Sequence, residues 1–391
     1  GGGGAAGSAV NDVQGGDIGL NFAVGGSGGA GGDAGDIALT IGSGTIVTTG
    51  DNSSGITAQS IGGGGGSATQ FVSGSNNSNI SISGVVGGTG GEGGDGGIIN
   101  LENSASIQTS GENAVAIYVQ SVGGGGGETS LAAPVESESN NISGKLEVGG
   151  QAGGGGSAKD VNLENNGLIV TTGNQSHGLS IESIGGGGGK VTISTSAKTV
   201  DTSASVALGA SGGSGGNAGN ITIKNNGSIN IYGDAGYGIF SKSIGGGGGA
   251  VSSTTAVNAV IGSSGGEGGN SGDIEITNTS NGSITTKGQN GIGIYALAIG
   301  GGGGDIGSTQ GNVSLGATGG VGGSAGDITI ENEGSITTYG ENSYGIIGSS
   351  IGGGGGRIAG NISNGSITLG ASGGARGNSG DITINNSGDI S

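Results

Sequence analysis

His177 is the single histidine of the chain and the first residue to test for chemistry. Nucleophilic catalysis needs a base beside a nucleophile and a third group to orient the base. His177 stands in the turn Gly173-Asn174-Gln175-Ser176-His177 with no such company in sequence, and it reads as a turn variant. A phosphate cradle is the next candidate, because Gly185 to Lys190 spells GGGGGK. Ile184 occupies the place of the first glycine of that motif and Val191 the place of its hydroxyl residue, so the match fails. Paired carboxylates could cleave glycosides, yet divergent stretches such as Glu128 to Ser139 hold no cluster of bases or cations. No catalytic residue and no cofactor site is expected.

A column of acids is the best chemical candidate. Asp36, Asp160, Asn220, Asp273, Asp327 and Asp381 stand at equivalent places, each followed by Ile or Val. One reading makes the aspartates Asp36, Asp160, Asp273, Asp327 and Asp381 calcium ligands, since calcium takes carboxylate and carbonyl oxygens. The calcium nonapeptide GGxGxDxUx is matched only at its beginning, by Gly90 to Asp95, and Gly97 stands where an apolar residue belongs. The preferred reading has each side chain cap a turn by bonding local N–H groups. Threonine pairs (Thr48-Thr49, Thr171-Thr172 and Thr337-Thr338) suggest an ice-binding ladder, but Ile231-Tyr232 interrupts it.

The elements that carry these residues repeat. Six segments end in five glycines, and the residue before each run is Ile61, Val122, Ile184, Ile244, Ile299 or Ile351. Intervals of 52–62 residues with an unchanging motif mean that loops vary around a constant framework. Each unit holds a glycine-triplet tract, a strand pair such as ITIENEGSITTYG, and a GI-x-x-x-S-I strand. Ile328 and Ile330 point one way and Thr329 and Glu331 the other, which is strand alternation. In the GI-x-x-x-S-I strand an inward column is expected at Ile56, Ile117, Leu179, Ile239, Ile294 and Ile346. An outward one is expected at Thr57, Tyr118, Ser180, Phe240, Tyr295 and Ile347, covered by a loop of the same repeat or free for adhesion. Ile61 and its equivalents break the alternation and predict a bulge. Glycine at every third position suits either a polyproline-II segment or a flexible linker, and the pentaglycines read as tight corners.

Composition agrees with a thin core. There are 110 glycines, only 2% aromatic residues, and no Trp, Met or Cys. Side chains large enough for a thick globular interior are missing, and a single proline, Pro134, excludes collagen. A net charge of −19 argues against nucleic acid as a partner and gives no hold on anionic membranes. No apolar run is long enough to insert as a helix. Fold and domains follow: an all-β, right-handed parallel β-solenoid, one elongated array over 1–391. Its units lie roughly at 1–66, 67–127, 128–189, 190–249, 250–304 and 305–356, with 357–391 partial. Two or three coils per repeat would make a rod of roughly 60 or 90 Å.

The strings Y-G-I…S-I-G-G-G-G-G and I-T-I-x-N-x-G-S-I-T-T resemble the repeat-rich passenger regions of Gram-negative autotransporters (type V secretion), including the large adhesin-like members. The resemblance implies a β-helical stalk exported through an outer-membrane barrel and displayed at the cell surface or released. Its expected roles are attachment, aggregation or a biofilm matrix, with host or matrix glycans and proteins as partners. Neither a barrel sequence nor a signal stands in this chain. A start inside a glycine run and a finish inside a strand pair lead to two expectations, covalent continuation of the stalk or end-to-end stacking of copies into a filament. A polysaccharide-cleaving β-helix enzyme is the remaining alternative, by analogy of fold alone.

Overall fold

Alternating apolar residues dictate the strands, and parallel stacking satisfies their backbones. In the computed structural model, residues 1–11, 18–76, 80–132, 135–137, 142–194, 203–257, 259–311, 313–360, 367–369 and 372–391 are described. Pro134 and parts of the Glu128 to Ser139 stretch lie outside them. No helix occurs among the described residues. One coil contains five strands in succession: Ile99–Asn103, Ser106–Thr109, Ile117–Val122, Thr129–Ala132 and Ile142–Val148. We call the sheets to which they belong the first to the fifth. Every principal ladder is parallel and joins strands one repeat apart, as in Ile99 to Val161, Val161 to Ile221, and Ile117 to Leu179. The protein is a parallel β-solenoid.

Each strand pairs with its own counterpart in the next repeat, so one repeat makes one coil. The expected two or three coils per repeat are therefore wrong. The long interval goes into girth. The first sheet has seven strands, and at about 4.8 Å per coil the stack rises roughly 30 Å, not 60 or 90 Å.

Two cores result. Inner faces of the first three sheets enclose the main one, with Ile99, Leu101, Ile107, Ile117 and Val119 and their counterparts buried. The inward column is as expected: Ile117, Leu179, Ile239 and Ile294 are fully buried, Ile56 nearly so, and Ile346 packs against the cluster. A second, smaller core gathers Leu131, Val191, Ile193 and Val251 of the fourth sheet with Ala210 and Ala317 at the start of the glycine tracts. Ile61 needs no bulge. Along Ile56–Ile61 the burial alternates without a break, and Ile61 is simply an outward residue, 55% exposed.

Glycine runs join the two cores. Both the pentaglycine leaving the third sheet and the tract returning to the first are extended and repeat every three residues, as a polyproline-II-like backbone does. Gly91 and Gly94 donate to the carbonyls of Gly66 and Gly63 in the same coil, while Gly63 and Gly66 donate to Gly32 and Gly29 of the coil before. One residue earlier in each triplet, Gly90 and Gly93 donate along the stack to Gln151 and Gly154, and Gly62 and Gly65 to Val122 and Gly125. Backbones this close leave no room for a side chain: a Cβ on Gly91 would lie 1.9 Å from the oxygen of Gly29. The tracts are packed walls in place of linkers, and the pentaglycines are straight spans in place of corners.

Candidate functional site

The outer face of the third sheet concentrates the large polar and aromatic side chains. Alternation sends Thr57, Tyr118, Ser180, Phe240, Tyr295 and Ile347 outward in one column, and Gln59, Gln120, Glu182, Lys242, Leu297 and Ser349 in the next. His177 sits just before this sheet and stacks on Tyr237 of the next coil, with ring centroids 4.6 Å apart. Phe240 meets the edges of both rings, and Tyr295 extends the cluster at 5.4 Å from Phe240. Beside the rings, Lys242 forms an ion pair with Glu182 and lies 5.1 Å from the centre of the Phe240 ring. Glu182 also accepts bonds from the Tyr118 hydroxyl (3.1 Å) and the Gln120 amide (2.8 Å). These side chains half-bury one another. The described strands that contact the third sheet belong chiefly to the first and second sheets, on its inner side.

Electrostatics follows from this packing. Burial holds the His177 imidazole down to about 4, with the charge of Lys242 acting the same way and that of Glu182 opposing. Its Nδ1 accepts the backbone N–H of Tyr237 at 3.1 Å, so the ring is a neutral packing element with one nitrogen already engaged. Burial, and then the negative charge of Glu182, push the Tyr118 phenol well above its usual value. All six tyrosines of the chain belong to one corner. Tyr118, Tyr237, Tyr295 and Tyr344 are on the third sheet. Tyr232 and Tyr339 directly follow strands of the second, across the turn. Tyr339 is 69% exposed, and Lys287 lies 4.5 Å from the centre of the Tyr232 ring.

The acid column sits elsewhere, where the tracts meet the first sheet. Its carboxylates do not cap local N–H groups as expected; they reach one coil on. Asp36 accepts from the N–H of Ile98, Asp160 from Asn220, Asp273 from Asp327, and Asp327 from Asp381. Asn220 accepts from Asp273 in the same manner. Ile98 occupies the place between Asp36 and Asp160. Among the described residues no three acidic, His or Cys side chains converge on a point where a metal ion could sit. Asp95, from the calcium-like Gly90 to Asp95, binds Lys159 at 2.6 Å and the N–H of Ser157. Burial raises the Asp95 carboxyl, but those bonds and the Lys159 charge outweigh it and hold the group below its ordinary value. Gly185 to Gly189 of the failed phosphate motif are part of the glycine wall. The pair Thr171-Thr172 divides, Thr171 pointing into the core and Thr172 into solvent, so its two hydroxyls do not share one exposed face.

Three ladders escaped the sequence. Asn103, Asn165, Asn225, Asn278 and Asn332 are fully buried, and each amide donates to the side-chain oxygen of the next, on to Asn386, at 2.7–2.9 Å. Each of these asparagines ends a strand of the first sheet, and its partner stands one coil away, out of reach of a local reading of the sequence. Asp33, Asp95, Ser157, Asn217, Asn270 and Ser324 form a second ladder, each accepting the N–H of its counterpart a coil later. The serine of S-I-G-G-G-G-G stitches the third sheet to the tract: Ser121 donates to Gly97 and accepts from Lys159. Where Ala298 replaces that serine, Ser271 accepts the N–H of Gly326 instead.

Comparison with known proteins finds no family model, no curated protein and no solved structure that matches the chain.

Proposed function

We propose that this chain is part of a non-enzymatic extracellular solenoid, a stalk or fibre that adheres through its tyrosine-lined corner. Gathering all six tyrosines on one corner is the observation that carries the reading. Aromatic rings give contact area at low cost in side-chain entropy, and Tyr adds a polar tip for a wet ligand. Glycans and extended polypeptides are the ligands that suit such a ridge. The resemblance to autotransporter passengers supports a place on the surface of a Gram-negative cell, in attachment, aggregation or biofilm. The regular ladders support a structural role, because each repeat uses its polar groups to hold the next.

The test is binding to a panel of immobilised matrix and host polysaccharides. We expect retention of the wild-type chain and at least tenfold weaker retention of Tyr339→Ala/Tyr295→Ala. Equal retention of both forms, or none of either, overturns the adhesive reading. New chain ends in acidic polysaccharides incubated with the protein would overturn the non-enzymatic one.

A further inference from the structure

Beside the tyrosine corner the outer surface of the third sheet continues into a second face. Its first column is aliphatic, Ile61, Val122, Ile184, Ile244, Ile299 and Ile351, pointing away from the core. Ile61 and Ile351 are 55% and 49% exposed. Three residues further on lies the central glycine of each pentaglycine, and three beyond that come Ser67, Glu128, Lys190, Ala250, Asp305 and Arg357. The face is thus an aliphatic wall, a bare floor and a charged wall, all running along the stack.

The floor is bare without the fold requiring it. A Cβ on Gly125, Gly187, Gly247 or Gly302 would meet nothing nearer than a carbonyl oxygen at 3.8–3.9 Å, which is ordinary contact. Among the described residues the N–H groups of these glycines have no hydrogen-bond acceptor. On the tract, by contrast, the solvent-facing residue of each triplet carries a side chain in most coils, Glu92, Ser214, Glu267 and Val321 among them. The remaining glycines of each run are forbidden a Cβ by backbone at about 2 Å.

The charges on the far wall complement themselves. We infer that a second copy of this chain docks on this face, antiparallel, about a two-fold axis through the row Ile244, Gly247, Ala250. That operation sets Glu128 opposite Arg357 of the other copy and Lys190 opposite its Asp305, twice each, with no like charges facing in this column. It sets Val122 against Ile351, Ile184 against Ile299, and glycine against glycine. Isologous contact of this kind closes at two copies. Lys242, which the axis brings toward its own copy, is already neutralised by Glu182. Arg357 and Asp305, neighbours at 3.3 Å within one copy, become the middle of a longer charge network.

Analytical ultracentrifugation of the 391-residue chain over a range of concentrations is the test. We expect a species of twice 35.7 kDa. Gly187→Ala/Gly247→Ala/Gly302→Ala should keep its circular dichroism and melting temperature while dimer affinity falls at least tenfold. Lys190→Glu alone and Asp305→Lys alone should each weaken self-association, and mixing the two should restore it, because each then faces its complement. A monomer at all concentrations, a dimer untouched by the alanines, or no rescue on mixing would overturn the inference. A dimer formed through the tyrosine corner or end to end would give the second of these outcomes.

Discussion

Six residues in the turn before the third sheet adopt left-handed backbone angles, Asn52, Asn113, Gln175, Ala235, Asn290 and Asn342, with φ of 52–56°. Asparagine adopts this region at lower cost than alanine. Ala235→Asn is therefore expected to stabilise the chain by about 0.5–1 kcal/mol, read as a higher midpoint in urea. The buried asparagines make the opposite case. Asn225→Ala strands a buried donor on Asn165 and a buried acceptor on Asn278, at a cost of about 2–4 kcal/mol. A loss below about 1 kcal/mol would mean that water repairs the ladder. His177 supplies a pH dependence. Unfolded, its imidazole takes a proton near 6.5; folded, burial delays that to about 4. Between the two the unfolded chain binds more protons, so stability is full above about pH 6.5 and falls as pH drops toward 4. His177→Gln should flatten that part of the profile, measured by thermal melts from pH 7 to 4. Sequence alone showed none of this, because the partner that buries His177 is Tyr237, sixty residues away.

Strands were legible and their partners' chemistry was not. Alternation placed Ile117, Leu179, Ile239 and Ile294 inside correctly, since a two-residue period leaves no freedom of face. Reading a side chain's hydrogen bonds is harder, because a solenoid offers partners one coil away as readily as local ones. Asp327 shows the difference: the cap reading expected a nearby N–H, and the carboxylate accepts that of Asp381. An aspartate engaged in this way needs no cation. Adding a chelator should leave the thermal melt unchanged within about 1 °C, whereas Asp327→Ala, which removes a charge-assisted bond, should lower stability by about 1–2 kcal/mol. A large fall on chelation would return calcium to the column. Period three in the glycines was legible too, but not that two runs from different parts of the coil interlock, which requires knowing that the chain returns beside itself.

Nothing in the sequence states the number of coils per repeat. Three strands per unit carry a constant pattern, while the fourth and fifth lie in variable segments such as Val251–Val257 and Ala259–Ile261. Pairing of like with like across each full interval settles it. One coil per repeat has a mechanical consequence. Pulled by its two ends, such a stack does not stretch as a spring; it peels, and each coil that leaves takes a whole repeat with it. At 3.3–3.6 Å per extended residue, one release of 52–62 residues lengthens the chain by about 170–220 Å. Single-molecule force traces should therefore show a sawtooth of such steps. Steps of half that length would mean that the two cores part separately, with the glycine wall as the line of tearing.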